Sequence, residues 1–367
     1  MIIGVDISRI SEEGGDDYSQ FIAELLRQCL RQQGENLFVV LSERPLPPFL
    51  QTLPIQTQLK KPWSNTPLIR KYWYDIKLPK VLKKHKATVF LTFSGFCSLR
   101  TKVPQCLVVP SLEIFHNKNI LQFFAKSSPQ KRLKKAQTII TFSASVKQQL
   151  VERYKINESK ISVLPLAAND DFKPLSWEEK TVIKERYTQG REYFIVTSYI
   201  ELKEQLVDLL KAFSFFKKRQ QSGMKLMFAG NIGMGKKIME ELLSTYKYRN
   251  DVLFVNEEKE KIIAAAYAMI YTSSLRSYCL PVWQAINCEV PVVAVQEPMI
   301  EECTQANALF FTKGSVNELA EQMMYIYKDE NERNRLIQNG RELRQNNTIE
   351  KSAEELWHML ANAVDKQ

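Results

Sequence analysis

The feature that most constrains the fold is an alternation of short apolar runs with longer amphipathic segments. "MIIGVDI" has the composition of a strand, and in "YSQFIAELLRQCLRQQ" the apolar residues recur at helical spacing. Further strands are predicted at "NLFVVLS", "ATVFLTF", "QCLVVPS" and "QTIITFS". Helices are predicted at "YDIKLPKVLKKHK", broken by Pro79, and at "SASVKQQLVERY", which opens on a serine cap. This βαβ series predicts an α/β fold with a mainly parallel sheet covered on both faces.

The alternation is interrupted once, between residues 165 and 192. This stretch has two prolines, several acidic residues and no strand pattern, which predicts a linker. The alternation then restarts and runs to a last amphipathic helix, "EKSAEELWHMLANAV". A chain of 367 residues is also too long for one compact core. We therefore expect two Rossmann-like domains, residues 1–170 and 190–345, that bind ligands at the carboxyl ends of their strands.

Composition excludes several classes of protein. Hydrophobic residues at 44% and charged residues at 25% are typical of a globular protein. No apolar run approaches the roughly 20 residues needed to span a bilayer. The N-terminus lacks a basic region followed by an apolar one, so we expect no signal peptide and a cytoplasmic location. The six cysteines have no CxxC spacing and the three histidines are isolated, which favours reduced, buried thiols and no metal site.

The formal charge is +10, and two basic runs stand out, "KVLKKHK" at 80–86 and "KRLKKAQ" at 131–137. Each run precedes an apolar strand-like segment, as the solvated side of a helix would. Attraction to an anionic membrane surface is an alternative explanation. A nucleic-acid partner is not expected, because no motif of a nucleic-acid-binding fold is present.

Three segments resemble motifs of one enzyme family. They are "TIITFSASVKQQLVERYKINESKISVLPLAANDDFKP", "YFIVTSYIELKEQLVDLLKAF" and "EEKEKIIAAAYAMIYTSSLRSYCLPVWQAINCEVPVVAV". With them the chain resembles, over nearly its whole length, the group 1 retaining glycosyltransferases with the GT-B fold. The resemblance implies two Rossmann-like parallel-sheet domains facing across a cleft. It also implies that residues 349–367 form a helix that crosses back to pack on the first domain.

The resemblance further implies an activity. Members of this family move a sugar from a nucleotide-diphosphate donor to an acceptor, with retention of anomeric configuration and without a metal or other cofactor. The acceptor is expected to be a glycan or a lipid-linked glycan bound mainly by the first domain. A lipid-linked acceptor would bring the basic helices to the inner membrane face. A leaving diphosphate gains negative charge, so backbone N–H groups, helix N-termini and cationic side chains must meet it.

The donor-binding residues follow from matching the family motifs to this sequence. They are Gly14, Gly15, Ser198, Lys203, Glu204, Gly230, Arg276, Ser277, Tyr278, Cys279, Leu280 and Gln284. The match indicates no catalytic residue. The "His–Asp" turn that often follows a strand of the first domain appears here as Pro110–Ser111.

Several of these positions depart from the family pattern. Arg276 and Gln284 stand where the family has two glutamates, and Lys203 and Glu204 stand where it has arginine and lysine. Ser198 replaces a glycine; likewise, Ser277 and Cys279 replace the glycines of Gly–Phe–Gly, and Tyr278 replaces its aromatic residue. Gln284 still suits a ribose diol and Lys203 a phosphate, whereas Glu204 places a negative charge beside a diphosphate.

Relative to the family pattern, a glutamate has become Arg276 and a lysine has become Glu204. The two changes together keep the net charge of the pocket if both side chains face it. If the two side chains face each other, Arg276 contacts phosphate while Glu204 turns to a sugar hydroxyl, or the two form an ion pair that closes the pocket. Three functions therefore remain open. They are an active glycosyltransferase with altered donor recognition, a catalytically silent GT-B protein that acts as a binding or scaffold subunit in polysaccharide assembly, and another nucleotide-diphosphate enzyme such as an epimerase.

Overall fold

The computed structural model describes residues 1–7, 17–32, 37–42, 55–60, 67–115, 129–197, 200, 203–230, 236–273 and 279–365. The chain divides into two compact units, Met1–Pro165 with Ile349–Gln367, and Leu166–Thr348. Among the described residues every strand ladder is parallel, as the alternating pattern predicted. Within these ranges no helix is both long and apolar enough to cross a membrane.

The strands are β1 (Ile2–Asp6), β2 (Leu37–Ser42), β3 (Ile55–Lys60), β4 (Val89–Thr92), β5 (Gln105–Val108), β6 (Thr138–Thr141), β7 (Ile161–Val163), β8 (Tyr193–Val196), β9 (Lys225–Ala229), β10 (Val252–Val255), β11 (Ala268–Tyr271), β12 (Val292–Val295) and β13 (Leu309–Phe311). The α-helices are α1 (Asp17–Gln32), α2 (Pro67–Tyr72), α3 (Leu78–Lys84), α4 (Pro129–Lys135), α5 (Ala144–Tyr154), α6 (Trp177–Thr188), α7 (Lys203–Gln220), α8 (Lys236–Ser244), α9 (Lys259–Ala264), α10 (Leu280–Asn287), α11 (Pro298–Thr304), α12 (Val316–Lys328), α13 (Glu330–Asn346) and α14 (Ile349–Asp365).

In each unit the strand order reverses at one point. The described strands of the first unit lie in the order β3-β2-β1-β4-β5-β6-β7, and those of the second in the order β10-β9-β8-β11-β12-β13. The order therefore reverses between β1 and β4 in one sheet and between β8 and β11 in the other. In doubly wound sheets such a switch point is where ligands bind, beyond the carboxyl ends of the two strands.

At the starts of two helices, side chains of the local sequence cap the first turn. The Ser143 hydroxyl accepts a hydrogen bond from the Val146 N–H at 3.1 Å, which confirms the predicted serine cap of α5. The predicted linker at 165–192 contains no strand, but it does contain α6. That helix begins with a capping box in which Ser176 and Glu179 each accept from the other's backbone N–H.

The last helix, α14, packs on the first unit, as the family resemblance implied. Its buried residues recur at helical spacing and include Ala353, Leu356 and Leu360. The Cys29 thiol of α1 donates to the Ala353 carbonyl at 3.3 Å. The Ser352 hydroxyl donates to the Pro165 carbonyl at 2.8 Å. The chain therefore returns to its first unit after the second is complete.

The cysteines are thiols, as expected. None of the six, all of which lie in described residues, forms a disulfide. Burial raises the pKa of the Cys29, Cys97, Cys106 and Cys288 thiols to about 12. These thiols stay protonated and unreactive at neutral pH.

The helix predicted to break at Pro79 does not break. Between α2 and α3 the chain forms a π-helix, Trp73–Lys77, and Pro79 lies in the first turn of α3. The helical backbone runs on from the π-helix into α3, and the change from π to α geometry falls next to this proline. The wider π turn places two consecutive polar side chains, Tyr74 and Asp75, in the interior.

Asp75 forms a buried ion pair with Arg132 of α4. Arg132 Nη2 lies 3.2 Å from Asp75 Oδ2, and the two side chains are 2% and 7% exposed. The guanidinium also donates to the Cys97 carbonyl and stands 4.0 Å from the Phe96 ring centroid. The Leu99 N–H donates to Asp75 at 2.8 Å. The ion pair and its hydrogen bonds to the backbone hold α4 and the segment after β4 against the π-helix.

Removing one partner of this pair should destabilise the first unit. Asp75→Ala removes the carboxylate that is paired with the buried Arg132 guanidinium, and we expect the free energy of unfolding to fall by about 3–5 kcal/mol. Urea denaturation followed by circular dichroism measures the change. Arg335→Ala is the control, because it breaks a Glu332 pair whose arginine is 52% exposed and should cost no more than about 1 kcal/mol. Equal losses in the two variants would contradict the structural role of the buried pair.

Candidate active site

At the switch point of the second unit, the carboxyl ends of β8 and β11 lie side by side. The strands pair in parallel, with Phe194 opposite Ala268. Thr197 follows β8, and Thr272 and Ser273 follow β11; all three are buried. Their hydroxyl oxygens have no hydrogen-bond partner within the described part of the chain. Because a buried polar atom without a partner costs about 1–3 kcal/mol, these hydroxyls are suited to contact polar groups of a ligand.

Gly230 lies at the same edge of the sheet, at the end of β9. Its φ is +81°, in the left-handed region that favours glycine, and its N–H donates to the Val255 carbonyl at 3.0 Å. No atom of the described residues lies within 4 Å of the position that a Cβ would occupy. The turn explains the glycine by itself, and the open space beside it leaves room for a ligand.

Lys203 and Glu204 form the start of α7, the helix that follows β8. Both side chains are exposed. The first turn of a helix presents unpaired N–H groups and a positive partial charge, to which Lys203 adds a full charge. The carboxylate of Glu204 is favourable there for the helix itself, since an acidic residue in the first turn interacts well with the helix dipole.

Cys279 stands at the N-cap of α10 with a φ of +61°. This left-handed conformation explains why a glycine is usual at the matching family position. The thiol is buried, 3.8 Å from the Met299 carbonyl, and it forms a hydrogen bond with Cys303. The side chains of Leu280 and Gln284 are buried as well, at 2% and 4% exposed. The structure thus places Cys279 and Leu280 in packing positions of the second unit.

Other predicted site residues lie outside the described residues. They are Gly14, Gly15, Ser198, Arg276, Ser277 and Tyr278. The predicted approach of Arg276 to Glu204 therefore stays a prediction, as do the donor-binding roles of all the predicted positions.

Sequence reasoning missed the hydroxyl residues of the second unit and a buried polar cluster in the first. That cluster surrounds the switch point between β1 and β4. Asp6 ends β1 and accepts a hydrogen bond from the Tyr74 hydroxyl, which lies 2.8 Å from the Ser94 hydroxyl. Ser94 lies 2.8 Å from Thr92, the last residue of β4. A polar residue directly after an apolar strand, as in "IIGVD", "VFLT" and "IVT", is the signal that could have identified these positions.

Two family models match consecutive parts of the chain. The model for glycosyl transferases group 1 matches residues 178–343, and the model for glycosyltransferase family 4 matches residues 20–172. O-antigen chain mannosyltransferase B of Escherichia coli is 22% identical over 223 residues, which is 59% of this chain. The aligned part spans 58% of the length of that relative.

Solved structures agree with this fold over the full chain. A glycosyltransferase from Rickettsia africae superposes with a TM-score of 0.75 at 15% identity, covering 100% of this chain and 99% of the other. WaaG, a glycosyltransferase involved in lipopolysaccharide biosynthesis, gives 0.74 at 11% identity and covers 98% and 99%. HepE of Anabaena in complex with UDP-glucose gives 0.71 at 14% identity and covers 100% of both chains. The chain belongs to the group 1 glycosyltransferases with the GT-B fold.

The left-handed conformation of Cys279 can be tested by substitution. Cys279→Val puts a β-branched side chain at a positive φ, and we expect the free energy of unfolding to fall by about 1–3 kcal/mol. Cys288→Val is the control, because Cys288 is equally buried but has an ordinary φ of −81°. Cys279→Gly relieves the strain and should be the least harmful of the three. Urea denaturation of the variants measures the differences. Equal losses for the two valine variants would show that backbone conformation does not decide this position.

Proposed function

We propose that this chain transfers a sugar from a nucleotide-diphosphate donor to a glycan or lipid-linked acceptor. The observation that carries the proposal is the set of buried hydroxyls of Thr197, Thr272 and Ser273, which lack partners among the described residues. They follow the two strands of the switch point of the second unit, and α7, which begins at Lys203, is the helix that comes after β8. Retention of configuration and independence of a metal are part of the proposal and rest on the resemblance to the retaining enzymes.

The chemistry of the leaving group explains these residue types. As the bond to the sugar breaks, the diphosphate gains negative charge. Hydrogen-bond donors that are held in fixed positions stabilise this charge more than flexible groups do. Hydroxyl groups donate to phosphate oxygens, the N–H groups of a helix start point at the anion, and Lys203 supplies a full positive charge. In this proposal the cation and the helix start take the part that a metal ion takes in other transferases.

The relatives suggest which substrates to test first. HepE was solved with UDP-glucose, and the Escherichia coli relative is a mannosyltransferase. UDP-glucose and a nucleotide-activated mannose are therefore the first donors to try. The name of the Escherichia coli relative, together with that of WaaG, supports an O-antigen or lipopolysaccharide glycan as the acceptor to test first.

A catalytically silent binding protein is the second candidate, and Glu204 favours it. An exposed carboxylate in the first turn of α7 repels a diphosphate that approaches the same turn. Such a protein would keep the GT-B fold without the activity. It would serve as a binding or scaffold subunit in polysaccharide assembly. Donor binding and turnover distinguish the two candidates.

Nucleotide binding should raise the melting temperature of the full chain. We expect a rise of about 3–4 °C for the correct one of UDP, GDP, ADP and CMP at a hundred times its Kd, because a ligand of the native state stabilises it by mass action. Differential scanning fluorimetry measures the shift, and a radiolabelled donor with glycan acceptors measures transfer. Binding with no transfer to any acceptor would favour the silent protein. An unchanged melting temperature with every one of these nucleotides would exclude a donor site.

Ser273→Ala should separate binding from folding. The Ser273 hydroxyl has no partner within the described part of the chain, so its removal should leave the stability of the free protein unchanged or slightly raised. Nucleotide affinity, measured by calorimetry, should fall about tenfold, since one hydrogen bond to a charged group is lost. Lys203→Ala should weaken it similarly. Lys211→Ala, an exposed lysine further along α7, is the matched control and should leave affinity unchanged. Full affinity in the Ser273 and Lys203 variants would place the donor elsewhere.

A further inference from the structure

Two cysteine side chains of the second unit are in direct contact. Cys279 at the N-cap of α10 and Cys303 in α11 are joined by a hydrogen bond between their thiols. The Cys279 Sγ also lies 3.8 Å from the carbonyl oxygen of Met299, in the first turn of α11. The fold therefore brings two sulfur atoms from different helices next to each other, as a disulfide requires.

The other four thiols have neighbours of a different kind. Cys29, Cys97 and Cys288 each contact a backbone carbonyl oxygen. Cys106 forms a hydrogen bond with a threonine side chain. The thiol pair of α10 and α11 is therefore set apart by the contact between its two sulfur atoms.

The two thiols of the pair differ in their access to solvent. Cys279 is fully buried, whereas Cys303 is partly exposed. Loss of hydration around the sulfur raises the pKa of the Cys303 thiol, and Cys279 and Glu302 raise it further. A hydrogen bond with Trp283 lowers this pKa, but by less. Little thiolate is therefore present at neutral pH, so that Cys303 reacts slowly there and faster as the pH rises.

We propose that Cys279 and Cys303 are a site of reversible oxidation, at which a hydroperoxide joins them in a disulfide. The Cys303 sulfur attacks one peroxide oxygen, the O–O bond breaks, and an alcohol or water leaves, which converts Cys303 to a sulfenic acid. The Cys279 sulfur then attacks the Cys303 sulfur, the S–O bond breaks, and water leaves. The two thiols lose two hydrogen atoms in total, and one peroxide is reduced. A thiol reductant reverses the reaction.

The disulfide would tie the start of α10 to α11. Cys279 directly follows Arg276, Ser277 and Tyr278 in the chain, three of the predicted donor-binding residues. The matching family position is usually a glycine, which cannot form this bond, so the site belongs to this chain and not to the family motif. Formation of the disulfide does not depend on sugar transfer. An effect of the disulfide on donor binding rests on the proposed function.

Thiol counting on the full chain tests the proposal. The reduced chain is exposed to hydrogen peroxide at about pH 8.5, where more thiolate is present, and is then unfolded and alkylated with N-ethylmaleimide. Residues 277–313 form one tryptic peptide, which contains Cys279, Cys288 and Cys303. We expect this peptide to carry one maleimide in place of three, and its two joined cysteines to be lighter by about 2 Da than two free thiols. Dithiothreitol before alkylation should restore all three.

Three variants identify the cysteines that are joined. Cys279→Gly, which suits the φ of +61° at that position, and Cys303→Ser should each leave the peptide with two maleimides after the same exposure. Cys288→Ala is the matched control, because Cys288 is as buried as Cys279. This variant should still form the disulfide and leave no thiol for maleimide. Circular dichroism establishes that every variant is folded.

Two results would overturn the proposal. One is a peptide of the unchanged chain that keeps all its maleimides under an exposure that oxidises the thiols of the urea-unfolded chain. The other is a thiol loss that persists in Cys279→Gly or Cys303→Ser, or that disappears in Cys288→Ala. Melting-temperature shifts with nucleotide, measured on the reduced chain, keep this test separate from the proposed function. The absence of a shift there would contradict a donor site and leave the thiol count unaffected.

Discussion

The parallel strands of both sheets are buried on both faces, and this burial restricts where polar side chains can stand. A strand in such a sheet has no solvated side, so β1, β4, β8 and β11 consist almost entirely of apolar residues. Polar side chains are then restricted to the strand ends. At the switch points this restriction places Asp6 and Thr92 in one unit and Thr197, Thr272 and Ser273 in the other. The surface where a ligand can bind therefore follows from the way the sheets are covered.

The first unit shows how one buried charge pair can organise a surface. Arg132 and Asp75 lose hydration when they are buried, and the loss is offset by their pairing and by hydrogen bonds to the backbone around Cys97 and Leu99. The same pair withdraws the one carboxylate of the segment 67–86 from the surface. The lysines that remain exposed have no acidic neighbour in that segment. A structural interaction in the interior thus leaves no exposed carboxylate on the segment 67–86.

The donor motif of the second unit differs from its family pattern in ways that the structure explains only in part. Glu204 suits the start of α7, and Cys279 adopts the left-handed conformation that a glycine would adopt more easily. These two substitutions are compatible with the fold, and they do not by themselves decide catalysis. The role of Arg276 is a prediction on which the described residues do not bear.

The class of fold, most strands and helices, the return of the last helix and the family could all be predicted from the amino-acid sequence. It could do so because hydrophobic periodicity reports the burial of each residue locally, and because the motifs lie in continuous stretches. The edge strand β3 was missed because "IQTQLK" is too polar for that pattern. The π-helix at Trp73–Lys77 was missed because the contacts of Tyr74 with Asp6, and of Asp75 with Arg132, join residues 68 and 57 positions apart. Which strand ends lie together could not be predicted, since strand order is set by crossover connections and not by the strands' own residues. For that reason the three hydroxyls at the switch point, scattered in the sequence, became one candidate site only in the folded chain.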